Sequence, residues 1–186
     1  ARRGSWLPEV DTAKLLDAQP RWVAAKDVHE GDFLVYPKQR PEAPRTRMSI
    51  ALARLVGYYL AEGHATLTNG HESVVFSFHI DESGYVNEVQ DLCKELYDVS
   101  GSVRLDEAKH EARVLVYSKA LHHAMTTLVG SGSGTKQLHG DLIAQDDQFL
   151  TNLVETYVCG DGNITERSGN KWHRAHTVSR VWAFQL

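Results

Sequence analysis

The apolar positions between Ser49 and Gly63 recur at the spacing of an α-helix. Ser49 is a favoured N-cap residue, and a glycine directly after the last periodic position is typical of a C′ residue. We therefore predict a buried helix that begins at Ser49 and ends at Gly63. Its broad apolar face is formed by Ile50, Leu52, Leu55, Val56, Tyr59 and Leu60.

The next hundred residues alternate between strand and helix patterns. The stretches ATLT and VVFSFHID flank an Asn69-Gly70 pair, which is typical of a β-hairpin turn. EVQDLCKELYDV has helical spacing, SVRLDEA and ARVLVYS read as a second hairpin, and KALHHAMTTLVG reads as a helix before the glycine-serine run 130–134. The order helix, two strands, helix, two strands, helix predicts an α+β unit.

The pattern then begins again. QFLTNLVETYVCGDGNI predicts a second helix that ends in a carboxylate followed by glycine. A turn at 168–170 and an HTVSRVWAFQL segment that begins as a strand should follow. A shift of 99 positions superposes Asp161 on Glu62 and Gly162 on Gly63. The same shift superposes Gly160 on Ala61, Tyr157 on Tyr58 and Val154 on Leu55.

The segment before the first helix has a different character. RWVAAKDVHEGDFLVYP predicts short strands at Trp22-Val23 and Phe33–Tyr36 around a His29–Asp32 turn. The proline-rich and charged segment Pro37–Arg47 reads as a linker. We expect four regions: a β segment (1–37), a linker (38–48), a first repeat (49–147) and an incomplete second repeat (148–186).

Composition bounds the class of protein. With 186 residues, 42% hydrophobic and 24% charged, the chain can bury a core in one or two domains. It holds no apolar run near the roughly 20 residues of a membrane span, so we expect no membrane partner and a cytoplasmic location. Cys93 and Cys159 show no CxxC spacing, and the ten histidines show no metal-ligand spacing.

The net charge of −4 does not favour nucleic-acid binding, although its distribution is uneven. Residues 81–112 are acidic, whereas residues 38–54 and 163–180, which adjoin the two carboxylate-glycine motifs, are basic. The two motifs are therefore flanked by positive charge.

Small residues on both motif helices predict that the helices cross closely. Gly57 and Ala61 lie four apart on one helical stripe, and Thr156 and Gly160 occupy the equivalent stripe. A close crossing would bring the two C-terminal ends together.

Glu62 and Asp161 would then lie side by side at helix ends that already carry partial negative charge. Such a pair is repulsive unless a divalent cation binds beside it. Hard oxygen ligands with open positions suit Mg²⁺ and a phosphate, which predicts metal-assisted phosphodiester hydrolysis. The alternative is that both carboxylates merely end their helices.

The segments LVGYYLAEG (Leu55–Gly63) and VETYVCGDG (Val154–Gly162) resemble the paired motifs of the LAGLIDADG homing endonucleases. The resemblance implies αββαββα repeats packed through the motif helices, sheets that lie on double-stranded DNA, and Mg²⁺-dependent cleavage. It also implies that Glu62 and Asp161 bind the metal and that Lys136 lies near the reacting phosphate. Thr156 departs from the small residue that the family usually places there.

Candidate DNA contacts follow from alternation along the first sheet, although alternation does not say which face is open. They are Thr66, Thr68, Ser77, His79, Arg104 and Arg113. The first segment resembles late splicing-domain strands of inteins, of Hint type. We therefore expect an intein endonuclease whose remainder, or a complementary chain, is supplied elsewhere. The alternatives are a DNA-binding module without catalysis and a degenerate intein remnant.

Overall fold

The computed structural model describes residues 19, 21–33, 46–167 and 170–186. The chain divides into two compact units, Ala1–Arg40 and Pro41–Leu186. In the first unit the predicted turn is present, since the Asp32 amide donates to the His29 carbonyl (3.1 Å). The strand predicted at Trp22-Val23 is wrong: residues 21–33 contain a short 3₁₀ helix (Ala25–Asp27) and no strand. Leu34, Val35 and Tyr36 lie outside the described residues.

A strand forms only where a neighbouring strand pairs with its backbone groups. Trp22 is 80% exposed, and the described residues around it adopt no strand conformation. The short β pattern was therefore insufficient to predict a splicing-domain strand here.

The first helix of the second unit, α1 (Ile50–Glu62), begins and ends as predicted. The Ser49 hydroxyl accepts a hydrogen bond from the Leu52 amide (3.2 Å), as an N-cap does. Gly63 is not a left-handed C′ residue, because its backbone is extended (φ −95°). A Cβ at Gly63 would lie 2.5 Å from the Tyr59 ring, so the position has no room for a side chain and requires glycine.

A four-stranded antiparallel sheet follows α1, in the order β1 (Gly63–Thr68), β2 (His71–His79), β4 (Glu111–Tyr117) and β3 (Ser102–Asp106). The predicted hairpin turn is confirmed, since Asn69 and Gly70 both have positive φ (51° and 79°). One face of the sheet is covered by helices and carries buried residues such as Val74, Phe76 and Val114. Helix α2 (Ser83–Tyr97) lies between β2 and β3 in the chain, and helix α3 (Lys119–Leu128) follows β4.

The pattern of helix and hairpin then repeats. A 3₁₀ turn (Ser133–Thr135) and α4 (Gly140–Ile143) lead to α5 (Asp147–Asp161), and β5 (Gly162–Arg167) pairs with β6 (Asn170–Ala175). The segment after β6 does not begin as a strand, contrary to expectation. Helix α6 (Arg180–Gln185) forms instead, because Ser179 caps it by accepting the Trp182 amide at 3.2 Å.

The segments that lead into α1 and α5 meet through residues that are 99 positions apart. Arg47 pairs with Asp146 (2.8 Å), and the Gln145 side chain donates to the Thr46 carbonyl (2.9 Å). Equivalent residues contact each other only where they lie close to a two-fold axis. Helices α1 and α5 therefore cross on a pseudo-two-fold axis, as the internal repeat predicts.

Candidate cation site at the ends of the crossing helices

The crossing of α1 and α5 brings all four predicted interface residues together. A Cβ at Gly57 would lie 2.6 Å from the Leu153 carbonyl oxygen and 2.8 Å from the Thr156 Cβ. A Cβ at Gly160 would lie 2.6 Å from the Ala61 Cβ. The absence of side chains at the two glycines therefore permits the backbones to approach. Thr156 fits opposite Gly57 and is buried.

Glu62, the last residue of α1, lies against the last turn of α5. A Cβ at Gly160 would be 3.4 Å from the Glu62 Cγ and 3.5 Å from its Oε1. Burial, followed by the charges of Asp161 and Glu82, raises the pKa of Glu62 to about 7, against an opposing effect of Lys136. The Glu62 carboxyl is therefore costly to ionise in the absence of a cation.

Asp161 ends α5 in the same way. Its pKa is raised by burial, while the positive charges of Lys136 and His176 act in the opposite direction. Its backbone carbonyl accepts the His176 amide (3.1 Å). The structure thus places both predicted carboxylates, half-buried, at neighbouring C-terminal helix ends.

Lys136 reaches this site from the loop after α3 and is only 5% exposed. Its Nζ donates to the carbonyls of Tyr59 and Leu60, each at 2.8 Å, and lies 5.3 Å from the Tyr59 ring centroid. Burial lowers the pKa of Lys136 to about 8, and the charges of Asp161 and Glu62 oppose that shift. The ammonium thus adds a second donor to the Tyr59 carbonyl, which also accepts the Gly63 amide, and pairs with the Leu60 carbonyl at the end of α1.

Two neighbours of the site escaped the sequence reasoning. His64 directly follows the carboxylate-glycine pair, and burial together with the charges of Lys136 and Arg113 lowers its pKa. Glu82, which directly precedes α2, adds negative charge near Glu62. Adjacency to the motif could have indicated His64, whereas no local pattern indicated Glu82.

The six sheet residues proposed as DNA contacts all lie on one face, the face away from the helices. Ser77 is opposite Arg113, and Arg113 is opposite Arg104. The Arg113 side chain pairs with Glu111 (2.8 Å) and His79 stacks on His110. The register places Thr66, Thr68, Ser77, His79, Arg104 and Arg113 on that open face.

Comparison with known proteins places the chain in a different context. The chain is 58% identical, over 99% of its length, to proteins named iron-sulfur cluster assembly SufBD family protein from Mycobacterium bovis and Mycobacterium tuberculosis. It spans only 22% of the length of these relatives. No protein-family model matches the chain.

Among solved structures, the chain is similar to the homing endonuclease I-DmoI. Mesophilic variants of I-DmoI are 12% identical and superpose with a TM-score of 0.46 over 61% of this chain and 59% of that one. I-DmoI in complex with DNA and Mn is 13% identical, with a TM-score of 0.45 over 61% of this chain and 63% of that one.

The comparison with sequence relatives contradicts the expected function. Relatives that match nearly the whole chain carry the name of iron-sulfur cluster assembly proteins and not that of nucleases, DNA-binding modules or inteins. The motif fails as a guide to function for a physical reason. Paired small residues and helix ends determine how two helices cross, and the same fold can serve unrelated functions.

Across the part of the chain that the structure describes, no helix could span a membrane.

Proposed function

We propose that this chain is a divalent-cation-binding module within a protein of the iron-sulfur cluster assembly SufBD family. Glu62 and Asp161 are the ligands, and Lys136 is the adjacent positive charge. The observation that carries the proposal is the pair of half-buried carboxyls with raised pKa values at two touching helix ends. A cation removes the repulsion that both carboxylates and both helix ends create.

The donor set favours a hard cation such as Mg²⁺ or Mn²⁺. Carboxylate oxygens suit these ions, and Mg²⁺ commonly binds through one or two carboxylates while it keeps several waters. In the described residues no group of three or more histidines, cysteines or acids could hold a metal by itself. Water or an anion from a partner would therefore complete the coordination.

The same donor set does not suit an iron-sulfur cluster. Such clusters are held by cysteine thiolates, commonly four of them, whereas this chain has two cysteines, Cys93 and Cys159. Cys93 is buried, and burial raises the pKa of its thiol to about 12, so it is not available as a thiolate ligand. The module would contribute a cation site to the longer protein and not the cluster ligands.

The proposal is tested by titrating Mn²⁺ into the chain and measuring binding by calorimetry and by the loss of the free Mn²⁺ electron paramagnetic resonance signal. We expect one site, and at least tenfold weaker binding in Glu62→Gln and in Asp161→Asn, because each removes a ligand. Asp91→Asn, which removes an exposed carboxylate of α2, is the matched control and should bind as the wild type does.

Two results would overturn the proposal. One is the absence of Mn²⁺ binding to the wild-type chain, which would mean that Lys136 alone neutralises the pair. The other is equal affinity in the wild type and in both site variants.

A further inference from the structure

Helix α6 is hydrogen-bonded to the segment that carries Lys136. Ser179, which is 1% exposed, donates its hydroxyl hydrogen to the Lys136 carbonyl. The same oxygen accepts the Trp182 amide at 3.2 Å, so the residue that caps α6 also holds the lysine backbone. Residue 136 is thus held on both sides: its side chain points to α1 and its carbonyl to α6.

The far end of α6 makes a second attachment to the same segment. The Leu138 amide donates to the Gln185 Oε1 (2.7 Å), and the Gln185 Nε2 donates to the Leu138 carbonyl (3.0 Å). One side-chain amide therefore satisfies both polar groups of a single residue, in the manner of a paired strand. Ser179 and Gln185 together fix residues 136 to 138 along the length of α6.

Helix α6 is itself fastened to the helix that carries Asp161. The Trp182 ring is buried and packs edge-on against Tyr157 of α5, with ring centroids 5.1 Å apart. The Tyr157 hydroxyl donates to the His176 carbonyl (2.6 Å), just before α6. The hydrogen bonds and the ring contact form a continuous path from Asp161 through α5 and α6 to Lys136.

We infer that Ser179 and Gln185 are positioning residues that hold the Lys136 ammonium beside the Glu62–Asp161 pair. They thereby set the affinity of the two carboxylates for a cation. This inference rests on the proposed function of that pair. A fixed positive charge competes with a bound cation for the same carboxylates. We call the contacts of Ser179 and Gln185 with residues 136–138 the clasp. Loss of these contacts should free the Lys136 side chain and therefore strengthen cation binding by the two carboxylates.

The clasp is tested first without any metal, by labelling amines of the folded chain and measuring each lysine by mass spectrometry. We expect Lys136 to react at least fivefold faster in Ser179→Ala than in the wild type, and Lys119, which is exposed on α3, to be unchanged. The rates are compared as plateau values at high pH, because the midpoint of the Lys136 rate against pH should rise from about 8 once the burial that lowers its pKa is relieved. Ser179→Thr keeps the hydroxyl and should restore slow labelling.

Gln185→Met provides an independent variant, because it leaves the α6 cap intact while removing both bonds to Leu138. Gln185→Met should accelerate Lys136 labelling as well. If Ser179→Ala fails to fold, the Gln185→Met result alone tests whether the contacts of α6 position Lys136. Unchanged Lys136 labelling in the folded variants would overturn the inference.

The second readout is the Mn²⁺ dissociation constant, which we expect to fall about threefold to tenfold in Ser179→Ala and to return to the wild-type value in Ser179→Thr. Faster labelling with an unchanged dissociation constant would overturn the coupling between the clasp and the site. A wild-type chain that binds no Mn²⁺ would instead overturn the proposed function, and the labelling result would still decide whether α6 positions Lys136.

Discussion

At the scale of single residues, Glu62 has the most informative environment. Its carboxyl is half-buried beside a second acid, and its pKa is raised to about 7 from an ordinary value near 4.5. The folded state therefore binds a proton more tightly than the unfolded state does. The resulting stabilisation is fully present below pH 4.5 and is lost as the pH rises to about 7.

Glu62→Gln should accordingly stabilise the metal-free chain at high pH and have little effect at low pH. We expect an increase of roughly 2 kcal/mol in the free energy of unfolding at pH 8, after allowing for solvent screening, and almost none at pH 4.5. Urea unfolding at both pH values measures it. A variant that is equally stabilised at both would contradict the raised pKa.

Saturating divalent cation should have the opposite dependence on pH. Binding requires the ionised carboxylates, so the cation should raise the melting temperature strongly at pH 8 and weakly at pH 5. At a concentration one hundred times the dissociation constant, the expected gain is about 2.7 kcal/mol. Thermal unfolding with Mn²⁺ and with EDTA measures it, and Glu62→Gln serves as the control because it lacks one ligand.

At the scale of elements, the α1–α5 crossing depends on the space at Gly57. Gly57→Ala should destabilise the protein by about 2–4 kcal/mol, because the added methyl group meets the Leu153 carbonyl and the Thr156 side chain. Gly84→Ala in the first turn of α2 is the matched control. Its Cβ has no neighbour within 4 Å, so it should be neutral or stabilising by about 0.5–1 kcal/mol. Equal effects at both sites in urea unfolding would refute a tight crossing.

The Thr156 hydroxyl introduces a second cost at the same crossing, since its oxygen is buried with no hydrogen-bond partner. Thr156→Val keeps the shape and removes the unsatisfied group, so we expect a gain of about 1 kcal/mol. The comparison is Thr126→Val on α3, which loses a bond to the His122 carbonyl (2.8 Å) and should be destabilising. Calorimetric melting of the two variants distinguishes these signs.

At the scale of the whole described fold, one hydrophobic core joins the sheet to both crossing helices. Leu153 on α5, Val56 on α1 and Val74 on β2 belong to the same buried cluster. A change on α5 should therefore weaken the sheet as well, although the two are far apart in sequence.

Leu153→Ala should reduce the free energy of unfolding by about 2–5 kcal/mol, because it leaves a cavity in this core. Hydrogen exchange at the β2 amides measures whether the loss spreads. We expect protection of Val74 and Phe76 to fall with the global stability. Protection that stays at the wild-type level in β2 would show that the two repeats unfold separately.

Local patterns in the sequence determined the four longer helices (α1, α2, α3 and α5), the first hairpin and the shift that relates the repeats. An N-cap serine, an Asn-Gly turn and apolar spacing act over a few residues, so they can be recognised without knowledge of the fold. Close packing of Gly57 against Thr156 was also predictable, because small residues in equivalent positions of a repeat can meet on its axis.

Tertiary structure alone decided the rest, because those interactions join distant parts of the chain. The Lys136 ammonium binds carbonyls that lie 76 and 77 positions earlier, and the grip of α6 on the Lys136 backbone spans 43 positions. The alternation of residues along the strands also could not show which face of the sheet is open, because the packing of the helices decides which face is covered. The strand pattern at Trp22 likewise formed no strand, because a strand depends on a partner that local sequence does not specify.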